Sequence, residues 1–203
     1  MLISIHPETP SQRNIQKVVE VLVRDGVVIF PTDTIYAIGC DIYKPRAVDR
    51  VAQIKGVKKE KANFSFICHD LSHLSEYSRP IDNAVYKMMR RNLPGAFTFI
   101  LGASSKVPKI FQSKKKSIGI RIPDNNIARD IVHMLGNPIM STSVHDDDEI
   151  IEYSTDPELI FERYSNSVDL VVHGGFGDNV PSTIIDCTGS EPELVREGKG
   201  ILQ

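Results

Sequence analysis

The sequence has little net charge, few cysteines and no long apolar segment, and each absence narrows what the protein can be. Its 203 residues carry a formal charge of −2, so any nucleic-acid binding must come from a local patch. The three cysteines are far apart and form no C-x-x-C pair, which is typical of reduced thiols in a cytoplasmic protein. No apolar run approaches the roughly 20 residues that span a bilayer, and the N-terminus lacks the features of a signal peptide. We therefore expect a cytoplasmic protein with no membrane partner, in which residues 1–203 form one domain.

Common catalytic and phosphate-binding motifs are also absent. The chain has no Walker A loop, no G-x-G-x-x-G and no G-x-S-x-G, which argues against the usual phosphate cradles and against a serine nucleophile. The pair His69 and His73 mimics the H-E-x-x-H zinc spacing, but Asp70 is better explained as a helix cap and no third ligand is evident. The acidic run 146–149 could hold magnesium but is more typical of a solvated loop. We predict no protein-bound metal and no organic cofactor.

The stretch Val27–Cys40 organises the rest of the chain. Val27–Phe30 is a short apolar run of the kind that forms a buried strand, and Pro31 ends regular pairing because it has no N–H to donate. Thr32, Asp33 and Thr34 follow at the carboxyl end of that strand, where open α/β sheets bind ligands. The alternative is an ordinary strand exit in which the Thr and Asp side chains cap the next turn.

Apolar periodicity and turn residues predict the remaining elements. Helices are expected at residues 11–24, 45–55, 71–77, 82–92, 125–136 and 156–164, the first capped by Ser11. Strands are expected at residues 2–5, 27–30, 64–68, 96–101, 118–122, 170–173, 184–186 and 193–196. Because some neighbouring strands resemble hairpins, we predict an α/β (α+β) protein with a twisted mixed parallel/antiparallel sheet flanked by helices.

Hydroxyl-rich segments and isolated cations recur near the predicted strand ends. The hydroxyl segments are residues 32–34, 141–143 and 182–183, and the accompanying cations are Lys55, Arg121 and Arg196. Arg121 lies inside the apolar strand IGIRI, and a guanidinium is costly to bury unpaired. It therefore has a fixed carboxylate partner or faces a cleft that receives an anion, unless an edge strand leaves it in solvent. Hydroxyls and cations together suit carboxylate and phosphate oxygens.

Seven segments in the same order resemble the YrdC/YciO family, also called the threonylcarbamoyl-AMP synthase family. They are residues 30–39, 55–56, 93–98, 119–123, 141–143, 181–186 and 195–198. The resemblance implies a YrdC/YciO-like fold with a large concave, basic cleft that binds double-stranded RNA or tRNA. In active synthases it also implies condensation of L-threonine, bicarbonate and ATP into threonylcarbamoyl-AMP, which serves tRNA threonylcarbamoyladenosine modification together with other tRNA-modification proteins.

The resemblance also assigns roles to individual residues. The expected catalytic residues are Lys55, Arg121 and Ser143. The threonine side would be lined by Thr32, Thr34, Tyr36, Arg121, Ser182 and Thr183. ATP, carrying Mg²⁺ on its phosphates, would contact Lys55, Ser141, Ser143 and Arg196. Independently of the resemblance, the lysines that could form a phosphate-tracking patch for RNA are Lys58, Lys59, Lys61, Lys114, Lys115 and Lys116. Solvated surface is the alternative for these short, basic runs.

Two departures from the family pattern concern the nucleotide side. Active synthases carry a K-x-R motif, and Val57 stands at the position of its Arg. They also carry an S-x-N motif, and His145 stands at the position of its Asn. Val57 removes a forked cation from the triphosphate, whereas His145 could donate a hydrogen bond only with a suitable tautomer. The combination resembles the YciO branch of the family. It predicts weak or altered synthase activity, with nucleotide and RNA binding retained. The alternative is a non-catalytic module that binds double-stranded RNA or tRNA.

Overall fold

The computed structural model describes residues 1–57, 64–111, 116–144 and 155–203, which form ten strands and six α-helices. The strands are β1 Leu2–Ser4, β2 Val28–Phe30, β3 Ala37–Asp41, β4 Ser65–Ile67, β5 Phe97–Gly102, β6 Ser117–Arg121, β7 Ile139–Ser143, β8 Leu170–His173, β9 Thr183–Asp186 and β10 Glu193–Arg196. The helices are α1 Gln12–Val23, α2 Pro45–Ile54, α3 Leu71–Tyr77, α4 Asn83–Asn92, α5 Asn126–Leu135 and α6 Pro157–Tyr164. In these ranges no helix is both long and apolar enough to cross a membrane.

All ten strands belong to one sheet, in the order β1-β8-β2-β3-β7-β4-β6-β5-β9-β10. Four neighbouring pairs are parallel (β1–β8, β2–β8, β4–β6 and β5–β9), and the others are antiparallel. The mixed sheet flanked by helices confirms the predicted fold class. Because β6 is paired with β4 and β5, Arg121 does not lie on an edge strand, and that alternative is wrong.

Helices cover both faces of the sheet. On one face a large apolar cluster joins strand residues such as Ile38, Phe66 and Ile120 to α2, α3, α4 and α6. On the other face Phe30 and Ile67 pack with the apolar sides of α1 and α5. Side chains alternate between the two faces along each strand. Beyond its apolar part, this second face therefore carries a row of residues that are polar or, at one position, glycine. We call this row the polar face, and it consists of Ser65, Thr98, Gly119, Arg121 and Ser141.

Most predicted helix ends are present, and their caps explain them. Asp70 accepts a hydrogen bond from the backbone N–H of His73 at 2.7 Å, which confirms its interpretation as a helix cap. Asn125 caps α5 in the same way, and Gly136 ends that helix with a φ of 80°, a conformation that glycine adopts without strain. The cap predicted for Ser11 is wrong in part: Ser11 lies at the N-cap of α1, but its side chain makes no cap hydrogen bond.

The sequence patterns missed β3 and β7, which pair with each other at the centre of the sheet. Both strands carry residues of low strand propensity, Gly39 in β3 and the Ser141–Ser143 run in β7. A Cβ atom at position 39 would collide with the carbonyl oxygen of Met140, so glycine permits the close approach of the two strands. The sequence had suggested that Ser141 and Ser143 follow a strand, but both residues lie within β7.

Candidate anion-binding site

The side chain of Arg121 is the centre of the site. One of its nitrogens, Nη2, donates to Oδ1 of Asp33 at 3.0 Å and to Oγ1 of Thr34 at 2.8 Å. The side chains of Arg121 and Asp33 are each 10% exposed, so this ion pair is held out of water. Of the two alternatives left open by the sequence, a fixed carboxylate partner is therefore confirmed. A second nitrogen, Nε, is buried and has no hydrogen-bond partner among the described residues.

Burial and neighbouring charges act on Arg121 in opposite directions. Burial lowers the pKa of its guanidinium, and the carboxylate of Asp33 raises that pKa again without fully offsetting the burial. The positive charge of Arg196 lowers the pKa of Arg121 as well. Arginine stays protonated at physiological pH, so Arg121 and Asp33 form a pair of opposite charges in a region of low solvent access.

The segment after Pro31 holds Asp33 and Thr34 in place through local hydrogen bonds. The hydroxyl of Thr32 donates to the carbonyl of Ile35 at 2.8 Å and accepts from the N–H of Thr34 at 3.1 Å. This hydroxyl-mediated turn follows directly from a strand that ends at proline. Both threonine side chains are buried. The turn therefore holds Asp33 and Thr34, the two hydrogen-bond partners of Arg121, in place.

Asp33 also connects the turn to two other segments. Its Oδ2 accepts from the backbone N–H of Asp124 at 3.0 Å, just after β6. Its backbone carbonyl accepts from Nζ of Lys199 at 2.7 Å, and the same ammonium pairs with Asp178 at 2.7 Å. This pairing lowers the pKa of Asp178. One residue of the turn thus joins the end of β6 and the segment after β10.

Arg196 forms a second cationic position on the rim of the polar face. Its Nη2 donates to the carbonyl of Ser182 at 2.7 Å, and its Nε contacts the same oxygen at 3.3 Å. The hydroxyl of Ser182 lies 2.8 Å from that of Thr98 on the neighbouring strand. Ser182 and Thr98 are buried, whereas Arg196 is exposed, so its guanidinium is held by the backbone and remains accessible.

The remaining residues of the polar face form its floor. The hydroxyls of Ser65 and Ser141 lie 3.3 Å apart on adjacent strands, and Ser65 is in register with Gly119 on the next strand. A Cβ atom at position 119 would lie 3.2 Å from Cγ2 of Thr98 and 3.6 Å from Cβ of Ser65, so glycine avoids crowding between these two side chains. Ser143, two residues after Ser141 on the same strand, is exposed.

Two residues expected on the threonine side are bound to backbone groups. Tyr36 is fully buried; its hydroxyl accepts from the N–H of Gly174 at 3.2 Å and donates to the carbonyl of Gly175 at 2.7 Å. Burial raises the pKa of Tyr36 to about 12. Thr183 donates to the carbonyl of Gly200 at 2.7 Å. In this conformation both side chains position loops around the site, and their direct contact with a ligand stays a prediction.

The structure thus brings Thr32, Thr34 and Arg121 together and joins Ser182 to Arg196. Lys55 lies half-buried at the carboxyl end of α2. The expected RNA-binding residues fall outside the described ranges except Lys116, which is exposed. His145 and the acidic run at 146–149 also lie outside those ranges. The expected concave, basic cleft stays a prediction.

Sequence reasoning did not assign Asp33, Ser65, Thr98 or Lys199 to the site. Asp33 belongs to the hydroxyl-rich segment 32–34, and its position between two threonines at a strand end was the feature that could have assigned it to the site. Ser65 and Thr98 are polar residues in otherwise apolar strands, which is a weaker form of the signal that identified Arg121. Nothing in the sequence near Lys199 indicates its partners, because they lie 166 and 21 residues earlier in the chain.

No group of three or more His, Cys, Asp or Glu side chains in the described part of the chain is arranged to hold a metal ion. The rings of His69 and His73 have centroids 4.5 Å apart and are tilted by 37°, and Asp70 is engaged as a cap. The side chains bonded to Arg121 are a hydroxyl group and one carboxylate, and magnesium carried on a bound phosphate stays a prediction.

A mixed sheet flanked by helices, with a nearly buried guanidinium and a second, accessible one beside a row of hydroxyl groups, defines an α/β protein of the YrdC-like fold. The chain belongs to the Sua5/YciO/YrdC family, because the family model described as telomere recombination matches residues 20–198. An uncharacterised protein of Haemophilus influenzae is 43% identical over 97% of this chain and 94% of its own length. The crystal structure of Escherichia coli YciO matches with a TM-score of 0.92 and 40% identity, covering 99% of this chain and 97% of that one.

More distant relatives have named activities or ligands. A threonylcarbamoyl-AMP synthase of Coxiella burnetii is 26% identical over 88% of this chain and 95% of its own length. The crystal structure of Pyrococcus abyssi Sua5 complexed with L-threonine has a TM-score of 0.85 at 22% identity, and covers 98% of this chain but 57% of that one. At that identity the likeness concerns the fold.

Proposed function

We propose that this protein binds L-threonine and ATP at the polar face and is a threonylcarbamoyl-AMP synthase of weak or altered activity. The observation that carries the proposal is the nearly buried guanidinium of Arg121, which keeps 10% exposure and takes a fixed orientation from Asp33 and Thr34. A planar guanidinium held in this way is suited to the carboxylate of an amino acid. The C. burnetii synthase and the threonine complex of P. abyssi Sua5 support this choice of substrate.

The proposed chemistry joins threonine, bicarbonate and ATP with release of pyrophosphate. The carbamate and the mixed anhydride both develop negative charge on oxygen, so fixed cations and careful positioning can supply most of the catalysis. Arg121 would hold the amino acid, while Arg196 and Lys55 would face the phosphates. Ser141 and Ser143 would donate hydroxyl hydrogen bonds, and Mg²⁺ would arrive on the triphosphate. The product would supply a threonylcarbamoyl group to a tRNA-modifying protein.

A weakened nucleotide side is the reason to expect low activity. Val57 is 42% exposed just after α2, where an Arg would present a forked cation to solvent and ligand. A valine there offers no charge to a triphosphate, and Lys55 alone is a point charge without bidentate geometry. Nucleotide affinity, more than amino-acid affinity, should therefore differ from that of active synthases.

Binding of double-stranded RNA or tRNA is the second candidate function, with or without catalysis. The exposed side chains of Arg90 and Arg91 at the end of α4 and of Lys116 before β6 support it. Such contacts would recognise phosphates and duplex shape, so binding should weaken steeply as salt rises. Binding of RNA through these residues should survive Arg121→Ala, because Arg121 is buried.

The deciding experiment measures pyrophosphate release with threonine, bicarbonate and ATP, omitting each in turn. Release that requires all three, and that is lost in an Arg121→Ala variant shown by circular dichroism to be folded but kept in Arg91→Ala, would support the synthase. Absence of release from a folded protein, combined with salt-sensitive RNA binding that survives Arg121→Ala, would favour the binding module. Loss of RNA binding in Arg121→Ala with threonine binding intact would contradict the site assignment.

A further inference from the structure

Asp33 gives the Arg121 site a charge pattern and not a simple positive charge. Its Oδ1 lies 3.0 Å from the guanidinium, and both groups are almost removed from water. A ligand that reaches Arg121 therefore meets a cation and an anion side by side. A plain carboxylate would gain from the cation but would be repelled by the neighbouring carboxylate, with little solvent to screen either effect.

A zwitterion matches this pattern. In an α-amino acid the carboxylate and the ammonium are separated by one carbon, so both charges can face an ion pair whose members lie in hydrogen-bond contact. The Arg121 side chain keeps 10% exposure, and this exposed part of the guanidinium is where the carboxylate would be held. Each oxygen of Asp33 accepts one protein hydrogen bond, from Arg121 or from the N–H of Asp124, and a carboxylate oxygen has capacity for a second. That capacity suits an ammonium group.

We propose that Asp33 is a specificity-determining residue that selects zwitterionic α-amino acids over simple carboxylates at Arg121. This inference rests on the proposed function, since it assigns an amino acid to the same site. It goes further in naming the residue that recognises the ammonium group. It also predicts that the negative charge of Asp33 weakens the binding of anions that lack an ammonium.

A purely structural role for Asp33 makes a different prediction. Asp33 supports the segment after β6 through Asp124 and orients Arg121, so loss of that support would weaken every ligand of Arg121 alike. A role in selection changes the ratio between two ligands. The ratio of affinities is therefore the quantity to measure.

The test uses two probes that differ only in the ammonium group, L-threonine and (R)-3-hydroxybutanoate, in calorimetric titrations at low salt and pH 7. We expect the wild-type protein to bind threonine at least about tenfold more tightly, equivalent to about 1.4 kcal/mol. In Asp33→Asn the ratio should fall to about one, and the absolute affinity for hydroxybutanoate should rise. Thr34→Val is the matched control: it removes the other acceptor of Nη2 without a change of charge, so both affinities should fall and the ratio should persist.

Each outcome bears on the inference. A wild-type protein without preference, or a folded Asp33→Asn variant that keeps the wild-type ratio, would overturn the selection role and leave the proposed function standing. A wild-type protein that binds neither probe would overturn both. Asp33→Ser, which retains an oxygen acceptor, serves as the second variant if Asp33→Asn does not fold, and the wild-type ratio alone remains a test.

Discussion

Replacement of Arg121 by Met should destabilise the protein strongly, because it leaves a buried carboxylate without its cation. The side chain of Asp33 is 10% exposed, and it would keep only the N–H of Asp124 as a partner. Removal of one member of a buried ion pair costs about 3–5 kcal/mol of unfolding free energy. For a chain of this size each kcal/mol lowers Tm by about 2–4 °C, so Arg121→Met should lower Tm by roughly 6–20 °C.

A double variant separates the buried charge from the loss of packing. Arg121→Met combined with Asp33→Asn removes both charges and keeps an oxygen for the N–H of Asp124, so it should recover a large part of the lost stability. Arg91→Met, at an exposed position on α4, is the control and should change Tm by less than about 2 °C. The assay is thermal and urea unfolding followed by circular dichroism. If Arg121→Met behaves like Arg91→Met, or if the double variant is no more stable than the single one, the reasoning about the buried pair is refuted.

Three further predictions concern single side chains. Asp70→Ala should cost about 1 kcal/mol through the lost cap of α3, whereas Ser11→Ala should cost little, and equal losses in urea unfolding would contradict this. Tyr36→Phe should cost about 1–3 kcal/mol and speed amide exchange in the loop after β8, since the hydroxyl bonds two backbone groups there; unchanged exchange would argue against that role. Burial lowers the pKa of His73 to about 4, so the unfolded chain binds its proton first and stability should fall by about 2–3 kcal/mol as pH drops from about 6.5 to 4. His73→Phe should flatten that part of the urea-measured pH profile, and an unaltered profile would exclude His73 as its cause.

The predicted strands and helices depended on local patterns, and the structure contains all of them. Each predicted strand was a short apolar run bounded by turn residues, and each helix had one apolar side, so local information was sufficient. The missed strands were those whose stability comes from their neighbours. Ser141 and Gly39 are in register across β7 and β3, and pairing on both sides of β7 outweighs the low strand propensity of serine.

The site was predictable in its chemistry but not in its pairings. The position of Arg121 inside an apolar strand required a partner or a ligand, and that requirement follows from the cost of a buried charge. Which carboxylate pairs with Arg121 depends on the strand order, because β6 is separated from β2 by three other strands. Tyr36 shows what the family resemblance could not supply: its hydroxyl donates to the backbone of a loop 139 residues away, and the ligand contact that the resemblance implies stays a prediction.

The long separation between the partners of the site also affects when it can form. Asp33 and Arg121 are 88 residues apart, and Lys199 reaches Asp33 across 166 residues. During synthesis the turn at 32–34 emerges long before either cation, and its parent strand β2 must wait for β8 to complete its pairing. Contacts over such distances carry a large loop-closure cost, so the site should assemble among the last steps of folding. Ligand-binding competence would then report that the whole sheet has formed.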